Sequence, residues 1–121
     1  MPHLTLEYTD NIAKLDPAAL LTAVNYAALK SGLFDEADVK SRAYATAPHF
    51  RIGLEEKARA FIHVRIGLLS GRSSEERRML SDLVLMALNA AVDAPPGTEL
   101  QLSVETVELD RPSYAKVVRH G

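Results

Sequence analysis

The sequence predicts an α/β domain in which two β-α-β units form one four-stranded mixed sheet with two helices on one face. Short segments alternate between apolar and polar residues, and two longer segments carry apolar residues at helical spacing. The order strand, helix, strand occurs twice, in halves at about 1–57 and 58–121. These observations predict a single domain over 1–121 that contains an internal repeat, with right-handed crossovers.

The first half begins with a strand and continues with a helix. From Leu4, apolar residues occupy every second position of the stretch 1–8, the pattern of a half-buried strand. Asp16 and Pro17 are typical of a helix start, with aspartate as N-cap and proline at the first helical position. Gly32 is typical of the position just after a helix. A helix is therefore predicted between these signals.

The second predicted strand, Val39–Ala45, carries an unusual pair of charges. Its alternation places Lys40, Arg42 and Tyr44 on one face. Two cations are unusual on a face that packs in a core. This face is therefore predicted either to contact solvent or to surround an anion.

The second half contains the strongest strand signal, Phe61–Leu69, which is rich in β-branched and apolar residues. A tight turn follows, and Ser73 with Glu76 forms the capping box of a second helix. That helix is predicted to end at Asp93–Gly97, and alternation over Leu100–Thr106 predicts the fourth strand.

The arrangement of the helices bears on oligomerisation. With both helices on one face, the other face of the sheet would lie bare, and we expect that face to be apolar. An exposed apolar patch on so small a domain predicts assembly into an oligomer. The connection 48–58 is expected to be polar and irregular, and the tail from Pro112 a short arm.

Composition excludes several functional classes. The 121 residues are 47% hydrophobic and 25% charged, as in one ordinary globular domain. A net charge of −2 does not favour nucleic acid binding, and the lack of cysteine excludes disulfide and thiolate chemistry. The longest apolar run, Leu83–Val92, is too short to span a bilayer. No signal-peptide pattern is present, so we expect a cytoplasmic protein without membrane contact.

Pro2 is the first residue with distinctive chemistry. A small penultimate residue such as proline usually permits removal of the starting methionine, which would leave a secondary amine at the start of the strand. Terminal α-amino groups have pKa values of roughly 7.7 to 8.0, and burial beside cations lowers them. Such an amine can act as an uncharged general base. Alternatively, proline simply opens an edge strand, and with Met1 retained its nitrogen is a non-basic amide.

Other residues have competing interpretations. Arg72 is compatible with an ordinary exposed turn, and Lys40 and Arg42 with a solvated strand face. His63, alone in an apolar strand, is predicted to be a packed or interface residue rather than a base. The remaining histidines show no metal-ligand spacing, so no metal site is expected. Phe50 is a candidate wall of a pocket.

Part of the second half resembles a known subunit. The segment Ile62–Arg77 is similar to the beginning of 4-oxalocrotonate tautomerase, in which proline opens a strand that leads to a Gly-Arg-Ser turn and an acidic helix start. The turn is present here as Gly71-Arg72-Ser73, but Ile62 stands about where the proline would fall. The proline instead opens the first half, which lacks the turn. The halves resemble fused, diverged copies that keep different pieces of a site.

Nearly the whole chain resembles the 5-carboxymethyl-2-hydroxymuconate isomerase family, a branch of the tautomerase superfamily that also includes macrophage migration inhibitory factor. Each motif is weak alone, but the set occurs in the right order. The matching residues are Met1-Pro2-His3, Glu7, Asp10-Asn11-Ile12, Val24-Asn25, Ser31-Gly32-Leu33-Phe34, Ser41-Arg42, Phe61, His63, Gly71-Arg72-Ser73, Glu105 and Glu108-Leu109.

The resemblance implies a tautomerase-like homotrimer that isomerises 5-carboxymethyl-2-hydroxymuconate, a small polycarboxylate of homoprotocatechuate breakdown, without cofactor or metal. Pro2 would be the general base, and Arg72 would hold a substrate carboxylate through its two-pronged guanidinium. Arg42 would bind the other end of the substrate or stabilise charge on its 2-oxygen, a role that Lys40 could share. Phe50 would line the substrate pocket.

Two alternatives stay open at this stage. Another reaction of the superfamily, such as phenylpyruvate-type tautomerisation or dehalogenation, would use the same proline. A non-catalytic trimeric binding module could also retain the fold, and retention of Met1 would favour that interpretation.

Overall fold

The computed structural model describes all 121 residues and contains four strands and two helices. The elements in chain order are β1 (His3–Tyr8), α1 (Pro17–Lys30), β2 (Lys40–Ala45), β3 (Arg59–Leu69), α2 (Ser74–Ala91) and β4 (Glu99–Leu109), with short 3-10 turns at Glu36–Asp38 and Arg111–Ser113. The sheet order is β2-β1-β3-β4. The pairs β1–β2 and β3–β4 are parallel and β1–β3 is antiparallel, which confirms the predicted mixed sheet.

The helix boundaries follow from the local chemistry that the sequence indicates. The Asp16 side chain accepts a hydrogen bond from the backbone N–H of Ala19, and α1 ends just before Gly32, whose φ is +73°. Ser73 and Glu76 form the predicted capping box at the start of α2. Local capping therefore fixes where both helices begin.

One hydrophobic core lies between the helices and a single face of the sheet. Leu4 and Leu6 of β1 are fully buried, and alternate residues of β3 from Ala60 to Leu68 are buried beside them. Leu20 and Val24 of α1 pack in the same cluster, to which α2 contributes buried residues at helical spacing, Leu80, Val84 and Leu88. Both halves of the chain thus share this core, while the division at 57/58 stays a prediction.

The expectation that the opposite face of the sheet is apolar is wrong. The register places mainly polar and charged side chains on that open face, because the non-core positions of each strand alternate with the buried ones. They include Thr5, Glu7, Lys40, Arg42, Tyr44, His63, Arg65, Gln101, Ser103 and Glu105. Apolar side chains, among them Phe61, Leu69, Val107 and Leu109, are a minority on this face, so an apolar patch over the whole face does not account for assembly.

Several strand ends differ by a few residues from the sequence prediction, and β4 in particular runs over Glu99–Leu109 rather than Leu100–Thr106. β3 begins at Arg59 rather than Phe61, because Arg59 and Ala60 already pair with Glu99 and Leu100 of β4. No helix or strand occurs between β2 and β3, as expected for the polar connection. Neither helix has the length and apolar character needed to cross a membrane.

Candidate active site at the amino terminus

A cavity of about 320 Å³ lies where the chain begins. β1 and β3 are antiparallel, so the start of β1 and the end of β3 meet at the same edge of the sheet. The end of α1 and the beginning of the C-terminal arm, residues 110–121, reach this edge too. The lining residues are Met1, Gly32, Leu33, Phe34, Asp35, Asp38, Leu69, Arg72 and Arg111.

Arg72 is fixed by the turn that joins β3 to α2. Gly71 has a φ of +116°, a conformation that side chains rarely adopt, and it lets the chain reverse just before Arg72. The Arg72 Nη2 donates a hydrogen bond of 2.8 Å to the carbonyl oxygen of Leu33. Its guanidinium carbon lies 5.4 Å from the centre of the Phe34 ring. Since guanidinium carries five N–H donors, others stay available to an anion in the cavity.

The terminal amine lies in the same cavity. It belongs to Met1, and Pro2 follows as a buried residue whose carbonyl accepts a hydrogen bond of 3.1 Å from the Lys40 backbone N–H. The Met1 nitrogen is 4.0 Å from a carboxylate oxygen of Asp38. The amine therefore sits beside one anion.

The surroundings make this amine less basic than an ordinary one. Burial is the largest cause and lowers the pKa of the Met1 amine below its ordinary 8.0. Asp38 raises that pKa, whereas the positive charges of Lys40, Lys116 and Arg72 lower it. The net effect increases the uncharged fraction of this amine at a given pH relative to an ordinary terminal amine, and the uncharged form is the one that can accept a proton.

Arg42 does not line the cavity but lies near it, on the open face of the sheet. Its Nη2 donates a hydrogen bond of 3.0 Å to His3 Nδ1, and His3 Nε2 lies 3.1 Å from the Tyr114 hydroxyl. Burial, followed by the charges of Arg42 and Lys40, lowers the pKa of His3 below 6.5. A neutral His3 with its proton on Nε2 satisfies both contacts.

The structure brings some of the predicted site residues together and separates one. Pro2, Lys40 and Arg72 surround the amine, and Arg42 is linked to that region through His3. Phe50 lines a different cavity with Asn11 and Arg59, at the opposite end of β1. Phe50 therefore does not line the cavity that contains the terminal amine of its own chain. It could line that cavity only in a second subunit.

Several residues around the amine carry no recognisable sequence signal. Asp38, Arg111 and Lys116 lie in irregular or 3-10 segments, where periodicity gives no guide to the face that a side chain occupies. Phe34 belongs to a segment that matches the family pattern, but nothing in that match indicates its contact with Arg72. No group of three or more histidine, aspartate or glutamate side chains is arranged to hold a metal ion.

His63 takes part in a separate polar cluster on the open face of the sheet. Its Nδ1 lies 2.7 Å from Ser103 Oγ, and its Nε2 contacts Glu105, which also pairs with Arg65 at 3.5 Å. The side chain is thus partnered but not packed in the core, and its role as an interface residue stays a prediction. The cluster depends on pairing between β3 and β4, which lie some forty residues apart in the chain.

Comparison with known proteins gives a consistent result. The model of the family described as 5-carboxymethyl-2-hydroxymuconate isomerase matches residues 2–118. No curated protein matches the chain significantly. A crystal structure of a 5-carboxymethyl-2-hydroxymuconate isomerase from Deinococcus radiodurans R1 is 29% identical, with a TM-score of 0.82 over 98% of this chain and 90% of that one.

Two further solved structures share the fold at lower identity. A 5-carboxymethyl-2-hydroxymuconate delta-isomerase is 18% identical, with a TM-score of 0.72 over 100% of this chain and 89% of that one. A fused 4-OT, described as a wild-type symmetric trimer, is 20% identical, with a TM-score of 0.64 over 94% of this chain and 90% of that one. The fold is therefore tautomerase-like.

Proposed function

The chain belongs to the 5-carboxymethyl-2-hydroxymuconate isomerase family and is an isomerase of the tautomerase superfamily, and from this premise we propose its substrate and its base. The substrate is 5-carboxymethyl-2-hydroxymuconate, which the enzyme converts to the 2-oxo-3-ene form during homoprotocatechuate breakdown in the cytoplasm. The general base is the Pro2 amine, exposed when Met1 is removed. The observation that carries the proposal is an amine of lowered pKa in a cavity shared with Arg72.

The position of the amine supports its role as a base. One residue spans at most roughly 3.6 Å, so the Pro2 nitrogen lies within that distance of the amine of Met1 and near the same group of charged side chains. Burial and the cations that lower the pKa of the Met1 amine would act on Pro2 as well. An amine that is uncharged near neutral pH can take a proton from the substrate hydroxyl.

The charges around the cavity fit a polycarboxylate. Arg72 lines the cavity and holds its guanidinium against Phe34 and Leu33, with further donors free for a bidentate bond to a carboxylate. Lys40 lies beside Pro2, and Arg42 lies next along the same strand face. These two cations would bind the other end of the substrate or stabilise negative charge that develops on the 2-oxygen.

The reaction then needs only one proton carrier. The Pro2 nitrogen removes the proton of the 2-hydroxyl, which leaves a dienolate whose charge is spread from the 2-oxygen to the far carbon of the diene. The protonated amine returns the proton to that carbon, and the 2-oxo-3-ene acid forms. The step moves one proton within the substrate and changes no oxidation state, and the cations around the cavity would stabilise the dienolate, so the proposal includes no metal and no cofactor.

The proposal includes assembly as a homotrimer. A fused 4-OT of the same fold is a symmetric trimer, and one face of this sheet carries no second layer. The polar character of that face means that subunits would meet through hydrogen bonds and ion pairs as well as apolar contacts. Light scattering coupled to size-exclusion chromatography tests this: a mass of one subunit at micromolar concentration would contradict it.

The proposed activity is tested by following ketonisation of 5-carboxymethyl-2-hydroxymuconate by ultraviolet absorbance. Intact mass must first establish that Met1 has been removed. A matched control is the same protein with Met1 retained, in which Pro2 is an amide. Turnover by the processed protein but not by the control is the expected result. If the processed protein fails to turn over this compound while binding it or acting on another 2-hydroxydienoate, the assigned substrate is wrong.

A further inference from the structure

The C-terminal arm places the positive charge of Lys116 near Asp38 and the terminal amine. Lys116 Nζ donates a hydrogen bond of 2.9 Å to one carboxylate oxygen of Asp38. The other oxygen of the same carboxylate lies 4.0 Å from the terminal nitrogen. Asp38 therefore lies between the amine and Lys116, and its charge is shared by both.

The arm is attached at two further points. The Arg111 backbone N–H and Nε donate hydrogen bonds of 3.2 Å and 3.0 Å to Ser70, and Arg111 itself lines the cavity. The Tyr114 hydroxyl contacts His3 on β1. These contacts hold the arm across the start of the sheet and bring Lys116 to Asp38.

Asp38 by itself would oppose the chemistry. A carboxylate close to an amine stabilises its charged form, and a protonated Pro2 could not accept the substrate proton. The positive charge of Lys116, paired with that carboxylate, offsets part of its effect on the amine, and the Lys116 charge also acts on the amine directly. The hydrogen bond from Lys116 is the largest cause of the lowered pKa of Asp38, which agrees with this pairing.

We propose that Lys116 is a positioning residue that pairs with Asp38 and so prevents this carboxylate from holding the Pro2 amine in its charged form. The inference rests on the proposed role of Pro2 and extends it to the arm. The charged and titratable groups that face the amine are His3 of β1, Asp35 and Asp38 before β2, Lys40 of β2, Arg72 after β3, and Arg111 and Lys116 of the arm.

The test is a titration of the Pro2 nitrogen by NMR in protein that lacks Met1 and contains ¹⁵N-labelled proline. We expect Lys116→Ala to raise the pKa of the amine by roughly 0.5 to 1 unit, the size of one nearby charge in a solvated site. When kcat/KM is plotted against pH, its rise with pH should move to higher pH by the same amount. Lys116→Arg should restore the titration, and Arg119→Ala, an exposed cation of the same arm, should leave it unchanged.

A second background separates the pairing from a direct charge effect. In Asp38→Asn protein the carboxylate is absent, so Lys116→Ala should shift the pKa of the Pro2 amine by less than half as much as it does in the parent. Equal shifts in both backgrounds, or no shift in either, would overturn the proposal. The titration needs no turnover, so an inactive parent that shows the expected shifts would reject the proposed substrate while the role of Lys116 stands.

Discussion

The guanidinium of Arg72 lies over the ring of Phe34, with its central carbon 5.4 Å from the ring centre. The two residues belong to different halves of the chain, since Phe34 follows α1 and Arg72 precedes α2. The contact holds the guanidinium against one wall of the cavity that contains the terminal amine, and the hydrogen bond to Leu33 restrains its rotation. A guanidinium restrained in this way loses little freedom when it binds a carboxylate.

Replacing Phe34 should therefore weaken substrate binding without removing chemistry. For Phe34→Leu we expect KM to rise about two- to fivefold with little change in kcat, the loss of about 0.5–1 kcal/mol of cation–π contact at a partly exposed site. Steady-state kinetics on the processed enzyme measures it. Tyr26→Leu, an exposed aromatic on α1, is the control. An unchanged KM would mean that Phe34 does not restrain Arg72.

Loss of Arg72 itself should have a larger effect on binding. For Arg72→Ala we expect KM to rise roughly 10- to 100-fold, since charge-assisted hydrogen bonds contribute more than neutral ones. Arg72→Lys keeps the charge but loses the two-pronged geometry, so most of the defect should persist. Arg78→Ala, on the exposed side of α2, should behave as the parent. Unchanged kinetics in Arg72→Ala would return this residue to the role of an ordinary surface arginine.

The Pro2→Ala variant tests the base. We expect at least about a hundredfold lower kcat with the oligomer intact, in line with the contribution of general base catalysis. Mass spectrometry, size-exclusion chromatography and the ketonisation assay together measure this. Pro17→Ala, at the first position of α1, serves as the control because it lies away from the cavity. A fully active Pro2→Ala enzyme would reject the mechanism.

The sequence predicts the features of this structure that depend on residues near each other in the chain, and it does not predict contacts between distant segments. Local chemistry places both helices, because Asp16 and Ser73 act on backbone groups three residues away. Alternation predicts the strands. The resemblance of the Gly-Arg-Ser turn to the family pattern makes Arg72 a candidate for the site. The contacts of Lys116 with Asp38 and of Tyr114 with His3 join the irregular C-terminal arm to segments far away in the chain. No periodicity carries that information.

The mistaken expectation of an apolar open face has a similar cause. The expectation followed from placing both helices on one side of the sheet, and it did not take into account which side chains the strands would present on the other side. The alternate positions of β3 hold His63 and Arg65, whose partners Ser103 and Glu105 are defined only by the register with β4. A strand read alone does not reveal which neighbours will satisfy its polar residues.

The lowered pKa of His3 predicts a pH-dependent stability. The unfolded chain binds the His3 proton more readily than the folded protein, so stability is fully present above pH 6.5 and is lost as pH falls from 6.5 through the folded pKa. We expect Tm to fall between about pH 7.5 and about pH 5.5, and His3→Gln to reduce the difference. Calorimetry at both values measures it. His49→Gln, exposed on the connecting segment, is the control, and an equal effect of both variants would contradict the assignment.

Gly71→Ala tests whether the turn after β3 positions Arg72. At a φ of +116° any side chain strains the backbone, and an added Cβ would meet nothing closer than Arg111 at 3.9 Å, so the cost comes from conformation alone. We expect about 1–3 kcal/mol lower stability in urea unfolding, together with a severalfold higher KM as Arg72 shifts. Gly97→Ala, with a φ of +73° far from the cavity, should lose stability but keep the parental KM. Parental KM values in both variants would mean that Arg72 reaches its place by its side-chain contacts with Phe34 and Leu33, whatever the geometry of the turn.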